Sequence, residues 1–315
     1  MTLVRIIKNW DYPDLLRQTP DSLGRWEQIQ FTCDDVEEAD YVIILNGSLC
    51  NLEVKCVPEN IWIIVQEPPT NDVKNWHFIP NHCNKMFTSD ESKVGKNYVH
   101  SHPALPWHVN KTYNELLSYS TPIKSQNISW ITSNKTFYDG HKKRLLFMEK
   151  LKNILDFDLY GKGFKEIPDK WTALTPYKYS FAIENFSNQY YWSEKIADCF
   201  LSWTMPIYYG CKNITHYFPK ESLIQIDIDS DTVIEDIKLA LSEKRWEKSL
   251  DAISYARTLV LNNYQLFPFI TSHIISSENR RGAFHKPQKV VIPNQLESLS
   301  NGSFNWANIL KQFKI

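Results

Sequence analysis

The 315-residue sequence contains no run of about 18 apolar residues, the length a helix needs to cross a bilayer, so no membrane-spanning helix is expected in it. Its first residues, Met1-Thr-Leu-Val-Arg-Ile-Ile-Lys8, lack the layout of a signal peptide. A soluble, cytoplasmic protein is the expectation; an anchor outside this chain, or association with the inner face of a membrane, stays open. Charge of either sign is equally lacking: 35 basic against 36 acidic residues leave a formal net charge of -1. No global field exists to gather nucleic acid or anionic lipid, so no nucleic-acid partner is expected and any phosphate binding must be local. Six cysteines (Cys33, Cys50, Cys56, Cys83, Cys199, Cys211) form no C-x-x-C pair, and no paired histidine spacing accompanies them, which gives no zinc signature. They read as reduced thiols in a cytosolic compartment. There is no internal repeat and no low-complexity tract.

What is present is apolar material: 43% of residues are hydrophobic and 14% aromatic. That excludes a disordered chain, and the length points to two domains rather than one core. Val4-Arg-Ile-Ile7 and Tyr41-Val-Ile-Ile-Leu45 read as buried strands, the second closed by Asn46-Gly47. Ile61-Trp-Ile-Ile-Val65 is another, stopping at Gln66-Glu67-Pro68-Pro69. Strands separated by helix-length segments predict parallel sheets covered by helices, and in such sheets ligands sit beyond the carboxyl ends of strands. The Glu67 loop is therefore expected where chemistry takes place.

Ser118 to Asn127 turns polar and aperiodic, as a linker does. The expected division is an N-terminal α/β domain over 1–120, a linker over 121–127, a C-terminal α/β domain over 128–265, and a segment of undefined packing over 266–315. Within the second domain Ile128–Thr132 reads as a strand, His141–Lys152 as an amphipathic helix, and Phe157–Gly163 as a strand entering a glycine turn. From Asp231 onward the pattern is mostly helical, including Asp251–Val260. The expected fold class is α/β with two Rossmann-like domains facing a cleft.

Tyr179–Ile183 reads as a buried strand ending in Glu184-Asn185. Ser193 then stands as a helix N-cap with Glu194 and Lys195 in the first turn of an apolar helix, Ile196 to Trp203. Free backbone N–H groups and the positive dipole end make such a start a phosphate site, to which Lys195 adds a point charge and Glu194 an acceptor for sugar hydroxyls. Met205–Gly210 forms another short strand ending in glycine.

In this stretch the sequence resembles glycosyltransferase family 10, the α1,3-fucosyltransferases. The matching elements are Ile183-Glu184-Asn185, Ser193-Glu194-Lys195, Pro206-Ile207-Tyr208-Tyr209-Gly210, Asn213, Phe218-Pro219, Ser222-Leu-Ile and Asp227. Ser133-Asn134 followed by Arg144 looks like the family's Ser-Asn then Arg, where the arginine reaches the donor diphosphate. Gln66-Glu67-Pro68 looks like its Glu-Ser-Pro loop, whose glutamate acts as base. The resemblance implies a GT-B-like enzyme that binds its acceptor on the N-terminal domain and a GDP-sugar on the C-terminal one. The implied reaction is inverting transfer of L-fucose from GDP-fucose to a GlcNAc-type or other glycan hydroxyl.

An inverting transfer needs a carboxylate to take the acceptor proton and cations to stabilise the departing nucleoside diphosphate. Glu67 supplies the first in this reading, Arg144 and Lys195 the second, while Asn185, Tyr191, Ser193 and Glu194 complete the donor site. No metal site and no required cofactor are implied, with Mn or Mg entering only as a stimulating ion. Two alternatives stand beside it. One is a relative moving another nucleotide-linked deoxysugar in surface polysaccharide or lipopolysaccharide synthesis, and the other is a non-catalytic sugar-nucleotide-binding module.

The sequence departs from the family in the loop Phe186-Ser-Asn-Gln-Tyr-Tyr-Trp192, which lacks the family's glycine, so Tyr190 and Trp192 are expected to reshape the sugar pocket. Asp229-Ser-Asp231 matches the Asp-x-Asp by which other glycosyltransferases hold manganese, but it follows the donor motif and reads as a turn. His100-x-His102 is too sparse for a metal site. His108, beside Trp107, reads either as a sugar contact or as core.

Overall fold

The β-branched runs form strands where the pattern predicts them, and the computed structural model describes residues 1–71, 73–279 and 286–294. The chain divides into two compact units, residues 1–103 with 270 onward, and residues 104–269. The first holds a seven-stranded sheet made of β1 (Thr2–Lys8), β2 (Arg25–Trp26), β3 (Ile29–Thr32), β4 (Tyr41–Leu45), β6 (Ile61–Ile64), β7 (Lys85–Thr88) and β8 (Tyr98–His100), while β5 (Leu52–Cys56) lies outside it. The strand order is β2-β3-β1-β4-β6-β7-β8, and every pair is parallel except β2 with β3. Continuous burial of Tyr41–Leu45 and Ile61–Ile64 fits strands covered on both faces.

Helices alternating with these strands are expected from the sequence. Among the described residues of 1–103 the connections instead carry no α-helix, only single 3-10 turns at Leu16–Gln18, Pro20–Ser22, Pro58–Asn60 and Lys74–His77, and the strand β5. Pro13, Pro20, Pro58, Pro68, Pro69 and Pro80 punctuate them, and each removes a backbone donor and clashes with a preceding carbonyl.

The second unit is a five-stranded all-parallel sheet of β9 (Gln126–Ile131), β10 (Asp158–Tyr160), β11 (Tyr177–Ile183), β12 (Met205–Tyr209) and β13 (Ile224–Gln225), in the order β10-β9-β11-β12-β13. Its helices are α1 (Tyr113–Ser118), α2 (Asp139–Lys152), α3 (Glu194–Leu201), α4 (Ile214–Tyr217), α5 (Val233–Ser242), α6 (Arg245–Lys248) and α7 (Leu250–Leu259). Trp130, Phe147, Phe181 and Ile237 lie in the core on one side of this sheet, and Phe200, Tyr208, Phe218 and Leu261 in the other.

The division at Pro103 and Ala104 differs from the expected one at 120. Trp107, Val109 and Leu116 are buried in the core of the second unit. The polar stretch before β9 is pinned there as well, because the buried ammonium of Lys124 donates to Thr175 O at 2.8 Å, Ser202 O at 2.7 Å and Thr204 Oγ1 at 3.0 Å. Polarity of sequence alone does not distinguish such an anchored segment from a linker.

After α8 (Leu266–Glu278) the chain supplies β14 (Gln288–Ile292), antiparallel to β5, so that Ile292 joins the core of the first unit. Of the segment expected over 266–315, residues 295–315 lie outside the described residues. No helix among the described residues is long and apolar enough to cross a membrane.

Candidate active site

The carboxyl ends of β9, β11 and β12 gather the residues that the sequence singles out in the second unit. Two glycines permit the approach. A Cβ on Gly140, in the first turn of α2, would lie 1.7 Å from the carbonyl oxygen of Asn185, and one on Gly210 would lie 2.5 Å from Glu184 Cγ. Both contacts exclude any side chain, so α2 and the end of β12 press directly on Glu184-Asn185.

Arg144, one turn into α2, is 5% exposed and reaches back over the strand ends. Its Nη1 donates to Asn185 Oδ1 at 2.5 Å and its Nη2 to Ser133 O at 3.3 Å. Its Nε is buried with no hydrogen-bond partner, as is the neighbouring Thr132 Oγ1. Burial pushes the guanidinium down to about 10, against the pull of Glu184 and Glu194, so it stays protonated at neutral pH.

Ser193 caps α3 as its sequence predicts, its hydroxyl accepting from the Lys195 backbone N–H at 3.3 Å. The cap is itself held by Glu184, which is 1% exposed. Glu184 Oε1 accepts from the Ser193 amide at 2.8 Å and its hydroxyl at 2.6 Å, while Oε2 accepts from Lys195 Nζ at 2.9 Å. Beyond Lys195 the charges continue to alternate. Lys170 Nζ donates to Glu194 Oε1 at 3.2 Å and to Asp198 Oδ2 at 3.0 Å, and Asp198 Oδ1 accepts from the His108 amide at 2.8 Å.

Burial alone would raise the Glu194 carboxyl, but Lys195 and Lys170 outweigh it and hold it well below the usual carboxylate range. Burial likewise opposes the charge on Lys195, and Glu184 and Glu194 more than restore it. The His108 imidazole, pushed down by burial, lies 3.8 Å from Glu194 Oε1.

Residues 186–192 need no glycine: none of them adopts a positive φ. Asn188 Oδ1 turns the chain by accepting from the amides of Tyr190 at 3.0 Å and Tyr191 at 2.7 Å. Trp192 is 3% exposed and packs edge-on against Tyr217, Phe218 and Tyr264, so this ring builds the core of the unit instead of the expected sugar pocket. Tyr191 is buried too, against Phe186.

Arg144, Asn185, Ser193, Glu194 and Lys195 are thus brought together as the sequence predicts, with Tyr191 on the loop between them. Glu184 stands in the matching motif without a role assigned to it, and Lys170 and Asp198 carry no sequence signal. A carboxylate at a strand end, nine residues before the helix cap it binds, is a signal that could have identified Glu184. Lys170 lies in a 3-10 turn, Lys170–Ala173, with no sequence pattern linking it to α3.

Glu67 belongs to the first unit, half-buried just past β6. The strand end before it is gripped from two sides: the Gln66 amide donates to Asn46 Oδ1 at 2.7 Å, and Trp10 Nε1 donates to Gln66 Oε1 at 3.2 Å. Asn46 takes φ +62 to do this, a conformation that asparagine tolerates better than other side chains.

The Asp-x-Asp match is a turn, in which the Asp229 amide donates to Asp227 Oδ1 and the Asp229 carboxylate pairs with Lys143. No group of three His, Cys, Asp or Glu suited to a metal occurs among the described residues. None of the six cysteines is in a disulfide, and four are buried.

Comparison with known proteins matches residues 121–238 to the family described as Glycosyltransferase family 10 (fucosyltransferase) C-term. The 4-galactosyl-N-acetylglucosaminide 3-alpha-L-fucosyltransferase 9 of Homo sapiens is 26% identical over 144 residues, which are 41% of this chain and 39% of that relative. The Mus musculus protein of the same name matches to the same extent. The matched region therefore spans well under half of these relatives. A solved α1,3-fucosyltransferase structure aligns over 84% of this chain and 91% of its own, with 16% identity and a TM-score of 0.50, a likeness of fold. The fold class is the α/β, GT-B-like one expected from the sequence.

Proposed function

We propose, from the match of residues 121–238 to the family described as Glycosyltransferase family 10 (fucosyltransferase) C-term, that the protein is an inverting α1,3-fucosyltransferase that takes L-fucose from GDP-fucose to a hydroxyl of a glycan acceptor. Glu67 accepts the acceptor's proton as that oxygen attacks the anomeric carbon. The bond between that carbon and the β-phosphate oxygen breaks, and GDP leaves with the electron pair. Arg144 and Lys195 hold the diphosphate and stabilise the charge that develops on it. Asn185, Tyr191 and Glu194 contact ribose or sugar, and Ser193 presents the start of α3. No step is assigned to a metal.

The observation that carries this reading is Arg144. It is a buried cation whose hydrogen bonds, among the described residues, go to neutral oxygens and whose Nε has none. Glu184 and Glu194 compensate the charge without hydrogen-bonding it, and a bound phosphate supplies the direct partner that the buried guanidinium lacks. The surrounding chain is prepared for it: Asn185 orients the guanidinium, and α3 begins at the same edge of the sheet.

The test is a thermal-shift panel of nucleotides and nucleotide sugars on the wild type and Arg144→Met. Stabilisation by GDP and GDP-fucose, absent with UDP or CMP compounds and lost in the variant, is expected. A larger shift with another base would overturn the fucose assignment. For the base, Glu67→Gln should release GDP from GDP-fucose at least about 100-fold more slowly in the presence of N-acetyllactosamine, while binding GDP normally. Turnover intact in that variant would remove Glu67 from the mechanism.

A further inference from the structure

A cavity of about 380 Å³ lies in the first unit, at the edge of the sheet where the Glu67 loop leaves it. Its floor is apolar, made by Ile44 of β4, Ile63 of β6 and Ile292 of β14. The β6–β7 connection, which begins with the Glu67 loop, supplies Asn75, Phe78, Asn81 and His82. Gly47 and Ser48 line the cavity as well, directly after Asn46. Asn46 ties the two strand ends together, because its amide donates to Ile64 O at 2.9 Å and its Oδ1 accepts from the Gln66 amide at 2.7 Å. The volume is at the small end of the roughly 300–1,000 Å³ of small-molecule sites, which suits a compact ring better than an extended chain.

The lining decides what kind of ring. Among the described residues no Asp, Glu, Lys or Arg contributes to it. Burial pushes the His82 imidazole down, so this ring too is neutral at physiological pH. A phosphate, carboxylate or ammonium group would find no counter-charge, which leaves an uncharged ligand. Polar capacity is present and unspent: the side chains of Asn75, Asn81 and His82 make no hydrogen bond among the described residues, whereas the Ser48 hydroxyl is taken by Cys50 O at 2.7 Å. A sugar ring matches this combination, with C–H groups on its faces and hydroxyls around its rim. Phe78 gives such a face a platform, since its ring is 57% exposed and is steadied by Lys93 Nζ, 3.2 Å from the ring centre.

Glu67 itself does not line the cavity. A base must come within about 3 Å of the group it deprotonates, so a sugar seated here is not the one that reacts. We propose that the cavity is a subsite for an uncharged sugar ring of the acceptor other than the reacting one, lying against Phe78 and the isoleucine floor with its hydroxyls at Asn75, Asn81 and His82. The subsite rests on the reading of Glu67 as the base, which makes this edge of the sheet the acceptor side. Binding energy from a non-reacting ring places the reacting hydroxyl and raises kcat/KM.

The experiment compares N-acetyllactosamine with a chain of three such units, measured by calorimetry in the presence of GDP and then as acceptors with GDP-fucose. The wild type should bind the longer glycan at least about tenfold more tightly and use it with a correspondingly higher kcat/KM. Asn81→Trp, at an exposed position on the cavity edge, fills the subsite, and Phe78→Ala removes its platform. Each should bring the two glycans to within about threefold of one another, the advantage that the number of units alone gives. If Phe78→Ala does not fold, Asn81→Trp decides alone.

Equal affinity of the wild type for the two glycans, binding of neither, or an advantage that Asn81→Trp leaves in place overturns the proposal. So does an octyl aglycone on N-acetyllactosamine that reproduces the whole gain and loses it in Asn81→Trp, because the occupant is then an apolar chain. Failure of the base assignment is read separately. A Glu67→Gln protein that keeps its turnover removes the base, while the ratio of glycan affinities and its dependence on Asn81, measured by calorimetry in that same variant, decide the subsite.

Discussion

Lys195 Nζ lies 2.9 Å from Glu184 Oε2, joining the first turn of α3 to the end of β11 by an ion pair in which the glutamate is fully buried. The lysine assigned to the diphosphate is therefore not a loose surface charge. It is held in place from beneath, by the same carboxylate that holds the Ser193 cap.

Replacing Glu184 by glutamine keeps the shape and an acceptor but removes the charge that steadies Lys195. Removing one partner of a buried pair costs about 3–5 kcal/mol, and Lys195 is partly exposed, so a loss of about 2–3 kcal/mol is expected in urea unfolding. GDP affinity should fall about tenfold, readable by calorimetry. Wild-type affinity in this variant would show that Lys195 finds its place without Glu184.

Gly140→Ala tests the contact between α2 and Asn185. Alanine favours a helix by up to about 1 kcal/mol, yet its Cβ would sit 1.7 Å from the Asn185 carbonyl oxygen. Steric overlap should win, with net destabilisation of about 1–3 kcal/mol and weaker GDP binding as α2 carries Arg144 away. A more stable Gly140→Ala protein would mean that the helix start can move freely.

Lys170 compensates both Glu194 and Asp198. Lys170→Met leaves the buried Asp198 and partly buried Glu194 carboxylates without their shared cation, with Lys195 remaining beside Glu194. Raised carboxyl pKa values and a loss of about 3 kcal/mol are expected. The check is a pair of melting curves: the variant's deficit should narrow from pH 7.5 to pH 5, as one carboxyl takes up a proton. A deficit independent of pH would point to packing instead of charge.

Acid should destabilise the protein through its buried imidazoles. Burial pushes both His77 and His141 down to about 4, with the cations of Arg144, Lys135 and Lys195 adding to the effect on His141. Between about pH 4 and 6.5 the unfolded chain carries protons that these folded rings refuse, so stability is complete above 6.5 and is lost as the pH falls through that window. The loss approaches roughly 3 kcal/mol for each ring near pH 4. His141→Phe should flatten the dependence of melting temperature on pH between 6.5 and 4.5, and an unchanged slope would show that the ring is already protonated when folded.

The sequence by itself determined the strands whose apolar runs are continuous, β1, β4, β6, β11 and β12, and the start of α3, because a Ser193 cap followed by charged residues needs only neighbours along the chain. It also supplied the motif that brings Arg144, Asn185 and Lys195 to one sheet edge, and the turn at Asp229. Tertiary structure alone decided the rest. Hydrophobicity calls for Trp192 to be buried but does not say against what, and only the positions of Tyr217, Phe218 and Tyr264 turn it into the core. The polar stretch around Lys124 looks like a linker until three distant oxygens are seen to hold its ammonium. Lys170 carries no periodicity and no spacing that marks it. Its role comes from carboxylates delivered by another element, and a contact between segments far apart in sequence is fixed by packing, which no local pattern encodes.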